Sequence, residues 1–99
     1  MKRTVKIKQI FPQKSGESER GKWTLQDIEV EWTERLVNGD EVTQQCRATT
    51  SIAINQSRLE QAKSSGEIID VTLLFSTRTY NEQTFNNIRI WLPRTFQEV

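Results

Sequence analysis

Apolar and polar side chains alternate over residues 71–92, on both sides of a polar turn at residues 81–82. Because successive side chains of a strand point to opposite faces, this alternation is typical of a hairpin with one buried face. A two-residue turn would place Phe75 opposite Ile88, and a turn longer by two residues would leave both faces unchanged. The pattern therefore predicts two paired strands that cover a core.

The rest of the chain divides into further strands and one helix. Strands are predicted over residues 3–11, 22–33, 41–49, 68–80 and 83–92. Apolar residues at helical spacing predict a short helix within residues 51–65, with Asn55 or Ser57 as its cap and Gly66 as its stop. The polar segment 13–21 is punctuated by glycine and is typical of a flexible loop. The residues predicted for the core include Ile28, Val30, Trp32, Cys46, Leu73, Phe75, Ile88 and Ile90.

Three strands, a short helix and two more strands follow one another in the five-stranded Greek-key barrel known as the OB-fold. The 99 residues make one domain, over residues 1–99, and a closed sheet suits a chain too short for two well-filled sheets. A small β-sandwich and an α+β roll are the alternatives. We therefore expect an all-β protein with one short helix, and an OB-fold as its architecture.

Composition argues against several kinds of active site. The chain has no histidine and one cysteine, so zinc sites built from Cys and His, and catalytic triads with a histidine base, are excluded. No segment reaches the ~18 consecutive apolar residues of a membrane helix. The basic start of the chain lacks the apolar block of a signal peptide. We expect a cytoplasmic protein that is not an enzyme and needs no cofactor or metal.

The outward face of the predicted hairpin carries rings and guanidinium groups. A formal net charge of +1 does not by itself favour nucleic-acid binding, so the placement of these groups has to carry the argument. OB-folds bind single strands with the face of their second and third strands and with two loops, which here are residues 13–23 and 78–85. Aromatic and basic residues lie in or beside both loops.

Several segments of the chain resemble a known family. They are residues 15–16, 21–23 with Gln26, 71–78, 80–81 and 85–91, the last with the pattern F-N-[DN]-I-R-x-W. In these segments the chain resembles the small OB-fold domain of unknown function found in Bacteroidetes and their phages, which is similar to single-strand DNA-binding proteins. Tyr80 stands where that family often has Trp, and Glu82 stands where its usual residue is glycine. The resemblance implies an OB-fold and single-stranded DNA as a ligand.

These observations predict a non-catalytic protein that binds single-stranded DNA. Bases would stack on Trp23, Tyr80 and Phe85. Phosphates would contact Lys22, Arg78 and Arg89. Two structural alternatives stay open, because an indole at residue 23 could instead cover the rim of the sheet, and the two hairpin rings could instead clasp each other across the strands.

A second surface is predicted from the outward positions of Leu74 and Trp91. Trp91 lies far from the hairpin tip, so a subunit interface suits it better than a ligand site, and exposed apolar side chains of this kind usually contact another molecule. We therefore expect a homo-oligomer, most simply a two-fold dimer. The rival function is a protein-interaction or assembly module, in which the same aromatic stripe binds a protein partner.

Overall fold

A computed structural model describes residues 1–80 and 82–97, without the side chains of residues 78, 80 and 83–86. Its strands are β1 (Lys2–Ile10), β2 (Lys14–Ser18), β3 (Gly21–Arg35), β4 (Glu41–Thr50), β5 (Ile69–Tyr80) and β6 (Gln83–Trp91). Helix α1 (Gln56–Ser65) lies between β4 and β5, and a 3-10 turn (Arg94–Phe96) follows β6. The prediction of a mostly β protein with one short helix is confirmed.

The strands form one sheet that closes on itself. Its order is β1-β5-β6-β4-β3-β2, and β1 also pairs with β3. That additional pairing joins β1, β5, β6, β4 and β3 into a ring and leaves β2 as an extension beside β3. Neighbouring strands are antiparallel, except that β4 and β6 run parallel where Thr49 pairs with Arg89.

The core fills the inside of this ring and is covered by α1 and the 3-10 turn. Helix α1 contacts β1 and the turn, and it buries Leu59 and Ala62. Asn55 caps the helix by accepting a hydrogen bond from the main-chain N–H of Arg58 at 3.2 Å, and Gly66 ends it with a φ of 68°. Both predicted helix boundaries are confirmed. Among the residues described, the buried core comprises Val5, Ile7, Ile28, Val30, Trp32, Ala48, Ile54, Leu59, Ala62, Ile69, Val71, Leu73, Ile90, Leu92 and Phe96.

A polar cluster lies on the inward side of the ring near the ends of β1 and β3. Glu34 accepts hydrogen bonds from the Arg3 guanidinium and, at 2.8 Å, from the indole N–H of Trp32. These two hydrogen bonds hold the pKa of Glu34 below its usual value. Trp32 is only 9% exposed, which confirms its prediction as a core residue and satisfies its one polar atom.

The prediction that Phe75 is a core residue is wrong, because its side chain is 56% exposed. Its predicted partner is right, since Phe75 pairs with Ile88, which is half-buried against the core. However, β1 pairs with β5 only over residues 69–72, with two more hydrogen bonds between Met1 and Leu73. Beyond that point the hairpin leaves the ring, so no described strand covers the inward face at Phe75.

Residues 13–21 also differ from their prediction as a flexible loop. Lys14–Ser18 pairs with the start of β3, from Ser18 opposite Gly21 to Lys14 opposite Leu25. The turn needs a φ of 117° at Gly21, a conformation that glycine adopts at little cost. The two projecting hairpins explain a radius of gyration of 15.1 Å, against about 13 Å for a compact chain of this length.

Within the described residues, no helix is long and apolar enough to cross a membrane.

Leu73 and Phe75 lie on the same face of β5 and test how far the core extends. Replacing the fully buried Leu73 by alanine should lower the free energy of unfolding by about 2–5 kcal/mol, because it opens a cavity. Replacing Phe75 by alanine should cost only about 1 kcal/mol, since more than half of the ring is already in water. Urea denaturation measures both changes. Equal losses would mean that the inward face of the projecting hairpin is covered in solution.

Candidate functional site

The outward side chains of β2 to β6 form a continuous surface, referred to below as the outer face. Strand register places Leu74 beside Arg89, Arg89 beside Thr49, and Thr49 beside Asp27, which makes one row across four strands. The neighbouring positions on this face hold more rings, cations and apolar groups. The outer face comprises Lys14, Trp23, Leu25, Asp27, Arg47, Thr49, Leu74, Arg89 and Trp91, with Phe11 beside it.

Trp23 is held on the outer face by a glycine. It lies opposite Gly16 in the β2–β3 hairpin, and a Cβ atom at residue 16 would stand 2.4 Å from the indole Cζ2. The indole therefore lies directly on the main chain of β2, where only glycine leaves room for it. Because 43% of Trp23 is still exposed, part of the ring remains open to a ligand. Trp23 is not among the side chains packed against the core.

A stacked pair lies beside Asp27 on the outer face. The guanidinium carbon of Arg47 lies 3.8 Å from the centroid of the Phe11 ring. Asp27 fixes this arrangement, because its Oδ2 accepts a hydrogen bond from Arg47 Nε at 2.8 Å and its Oδ1 accepts one from Thr49 Oγ1 at 2.6 Å. The Phe11 main-chain N–H also donates to the Asp27 carbonyl at 3.1 Å. The result is a flat, partly exposed cation held over a ring.

Asp27 is ionised in this setting. Burial raises the pKa of its carboxyl group, but the hydrogen bonds from Thr49 and Arg47 and the charges of Arg47 and Lys14 outweigh burial and leave that pKa below its usual value. Beside this carboxylate the outer face forms a groove of about 210 Å³. The groove is lined by Phe11, Pro12, Lys14, Leu25, Asp27, Arg47 and Thr49.

The residues predicted to bind nucleic acid are only partly brought together. Trp23 and Arg89 are exposed on the outer face, at its two sides. Lys22 is exposed but pairs with Glu17, and strand alternation turns it to the opposite face of the hairpin from Trp23. Instead of Lys22, the lysine on the same face as Trp23 is Lys14, which pairs with Leu25.

Three other predicted residues have side chains outside the described part of the structure. They are Arg78, Tyr80 and Phe85. The main-chain register pairs Arg78 with Phe85, and it pairs Tyr80 with Gln83 at the end of the hairpin. Their roles as stacking and phosphate-binding groups, and the alternative that the two rings clasp each other, stay predictions.

Sequence reasoning missed Phe11, Lys14 and Arg47 as members of the site. The alternation along β4 does place Arg47 outward, so that signal was available in the sequence. Phe11 directly follows the last residue of β1, and Lys14 is the first residue of β2. Neither position shows a sequence pattern that predicts its neighbours. Only the register of β1, β2 and β4 against β3 brings the three side chains to one groove.

The part of β3 nearer its end is acidic. Glu29 and Glu31 point outward there, and Glu31 lies 3.7 Å from Lys8 Nζ and accepts a hydrogen bond from Gln45 Nε2 at 2.9 Å. Of the cations on the outer face, Lys14 lies on β2 beside the start of β3, and Arg89 lies on β6. In the described residues, no three His, Cys, Asp or Glu side chains come together as a metal site.

Cys46 does not offer a nucleophile. Its side chain is half-buried and packs against the core. Burial, together with the nearby charge of Glu29, raises the pKa of the thiol. A protonated, half-buried thiol reacts slowly, which agrees with the prediction of a small core residue.

A second groove lies beside Trp91, between the start of β1, the start of β5 and the end of β6, and residues of both parities line it. Leu74 is 45% exposed and Trp91 is 48% exposed, as their outward positions predict. The groove beside Trp91 has a volume of about 730 Å³, and its lining includes the cations Lys2 and Arg3 and the anion Asp70. It therefore combines an aromatic wall with charges of both signs.

No family model, curated protein or solved structure matches the chain. The resemblance to the Bacteroidetes domain stays a prediction, and the role of the outer face follows from its own chemistry.

Replacing Gly16 by alanine tests the seat of Trp23. The new methyl group would overlap the indole, so Trp23 should leave the hairpin and become more exposed. In a Trp91→Phe background, iodide quenching should therefore rise, because the remaining Trp32 is buried. Ser15→Ala, at an exposed neighbouring position, is the control and should leave quenching unchanged. Unaltered quenching in Gly16→Ala would show that the indole does not lie on β2 in solution.

Proposed function

We propose that this protein is an OB-fold domain that binds single-stranded DNA without catalysing a reaction. The fold part of this proposal is supported by topology. The ring follows the order β1, β3, β4, β6 and β5, and its one helix lies between the third and fourth ring strands in the chain. An OB-fold is a partly open, five-stranded Greek-key barrel, and this closed order with a helix at that place agrees with it.

The DNA part of the proposal depends on where the exposed rings lie. OB-folds bind oligonucleotides with the face of their second and third strands. In this chain those strands are β3 and β4, whose outward side includes the open part of Trp23 and the Phe11–Arg47 stack. That placement is the observation on which the proposal rests, because flat rings accept any base and guanidinium planes stack as rings do.

Phosphates would be held by cations around these rings. Lys14 lies at the groove and Arg89 lies on the β6 side of the outer face. Arg47 is already paired with Asp27, so its contribution as a charge is reduced. The outward Glu29 and Glu31 repel phosphates, which confines the strand to the part of the face near Trp23. We therefore expect stacking to contribute more to affinity than charge.

Assembly is a second function that a different observation favours. The groove beside Trp91 is larger than the one beside Phe11 and offers aromatic, cationic and anionic surface together. A two-fold interface brings the same patch of two copies face to face, so Lys2 of one copy could meet Asp70 of the other. We propose that Leu74 and Trp91 form such an interface. In the rival function, the outer face, including these two residues, binds a different protein instead of DNA.

Trp23→Ala should weaken the binding of a single-stranded oligothymidine by about 1–3 kcal/mol, because one stacked base is lost. Arg89→Ala should reduce the slope of log affinity against log salt concentration by about 0.7, because one phosphate contact disappears. Fluorescence anisotropy over a series of salt concentrations measures both effects.

Two variants control this experiment. Trp23→Phe keeps a ring and should retain most of the affinity. Lys63→Ala removes a positive charge from α1, away from the outer face, and should leave the salt slope unchanged. If wild-type protein does not bind at low salt, or if Trp23→Ala with Arg89→Ala binds as well as wild type, the outer face does not take DNA and the rival function gains.

Leu74→Glu should convert a dimer of the wild-type protein into a monomer, because an unpaired carboxylate is costly to bury at an interface. Light scattering during size-exclusion chromatography measures the mass. Leu36→Glu is the matched control, since Leu36 is an equally exposed leucine outside the proposed interface, and it should remain dimeric. A monomeric wild type, or a Leu74→Glu variant that stays dimeric, would contradict this interface.

A further inference from the structure

We propose that the groove beside Phe11 is a base-selective subsite that takes guanine, recognised through the Asp27 carboxylate. This inference rests on the proposed function, because it requires a DNA strand on the outer face. It goes further, because binding by stacking alone is tolerant of sequence, whereas a fixed carboxylate is not.

The walls of the groove suit the flat faces of a base. Phe11, Pro12 and Leu25 supply apolar surface on the lining. The Arg47 guanidinium is stacked on Phe11 and extends this flat surface, and the Arg47 side chain as a whole is more than half exposed. A base placed here would exchange water for apolar and planar contacts, and that exchange gives affinity without sequence preference.

The polar part of the lining supplies the preference. A carboxylate can accept about four hydrogen bonds, two on each oxygen. In Asp27, Thr49 occupies one site on Oδ1 and Arg47 occupies one site on Oδ2, so each oxygen keeps one site. The same two partners fix the orientation of the group. A carboxylate held in this way is prepared to accept two neighbouring N–H groups.

Guanine is the base that presents two such donors side by side. Its Watson–Crick edge has the N1–H and the N2 amino group next to each other, and single-strand readers use this edge. Thymine offers one N–H between two carbonyl oxygens, which an ionised carboxylate repels. Adenine and cytosine each place one amino group beside a ring nitrogen that is an acceptor. Only guanine satisfies both free sites of Asp27 without such a repulsion.

The charge of the groove favours a nucleotide over a cationic ligand. Its lining holds the cations Lys14 and Arg47 against the single anion Asp27. An organic cation would meet this positive surplus, whereas a nucleotide brings a phosphate that Lys14 can bind. A purely structural ion pair between Asp27 and Arg47 would be compatible with the same distances, but it would produce no difference between bases.

The experiment compares oligothymidines of about ten nucleotides, a length within the usual range for one OB-fold. Each carries one central dG, deoxyinosine, dA or dC, or none, and a single dG avoids four-stranded structures. We expect the dG oligomer to bind about tenfold more tightly than plain oligothymidine, as for a two-bond base contact. Deoxyinosine lacks the N2 amino group, so it should retain only about a threefold gain. These arms use the wild-type protein and need no variant.

Two variants assign the preference to Asp27. Asp27→Asn should abolish the gain from dG over plain oligothymidine, because the side-chain amide has one acceptor oxygen and no longer offers two. The gain is measured within the variant, so a change in its affinity for all oligomers alike does not alter it. Glu29→Gln removes the same charge from the same face of β3 without touching the groove, so it should change the affinity of all oligomers alike. Thermal melting confirms that both variants fold.

The outcomes separate this inference from the proposed function. If oligothymidine binds but dG gives no gain, or if the gain survives in Asp27→Asn, the guanine subsite is wrong and DNA binding stands. If deoxyinosine binds as tightly as dG, the two-donor contact is wrong. If no oligomer binds at low salt, both the proposed function and the subsite are overturned.

Discussion

The strand β1 closes the fold because it pairs with two strands at once. Its first residues pair with β5 and its later residues pair with β3. A register shift between Ile7 and Gln9 leaves Lys8 as an extra residue, so Ile10 turns toward the core as Ile7 does. Without β1 the sheet would have two open edges and an uncovered core. With β1 in place, the side chains of one parity on the strand segments that form the ring point inward, and the outer face consists of the others.

Closure also explains why the outer face offers stacking more than charge. The outward residues of β3 lie beside those of β4 and β1, so acids on β3 pair with cations or amides on its neighbouring strands. Arg47 is bound by Asp27, and Glu31 is shared between Lys8 and Gln45. Exposed ion pairs of this kind add little stability, but they do neutralise the surface. The exposed groups of the outer face that take no part in these ion pairs are largely aromatic. They favour a ligand with flat, apolar faces.

The alternation in the sequence was sufficient to predict which side each strand residue faces, but not how deep it lies. The side that a strand residue faces follows from its position in the alternation. The predicted side is correct for Leu73, Trp32 and Trp91. The burial of a side chain depends on how far the neighbouring strands extend. The pairing between β1 and β5 ends at Thr72 and does not reach Phe75. The strand β2 was missed for a related reason, because its polar residues show no alternation. Its pairing with β3 places the main chain at Gly16 under the Trp23 indole.

The groove beside Phe11 lay beyond the reach of the sequence because its residues come from separate strands. Leu25 and Asp27 share β3, but Lys14 enters through the β2 pairing and Arg47 through the β4 pairing. A shift of one residue in either pairing would move one of them to the other face. The register of β2 is set by the turn before Gly21, and the register of β4 is set by the turn around Gly39. Two glycine turns far from the groove therefore decide that an apolar wall, a cation and a carboxylate meet there.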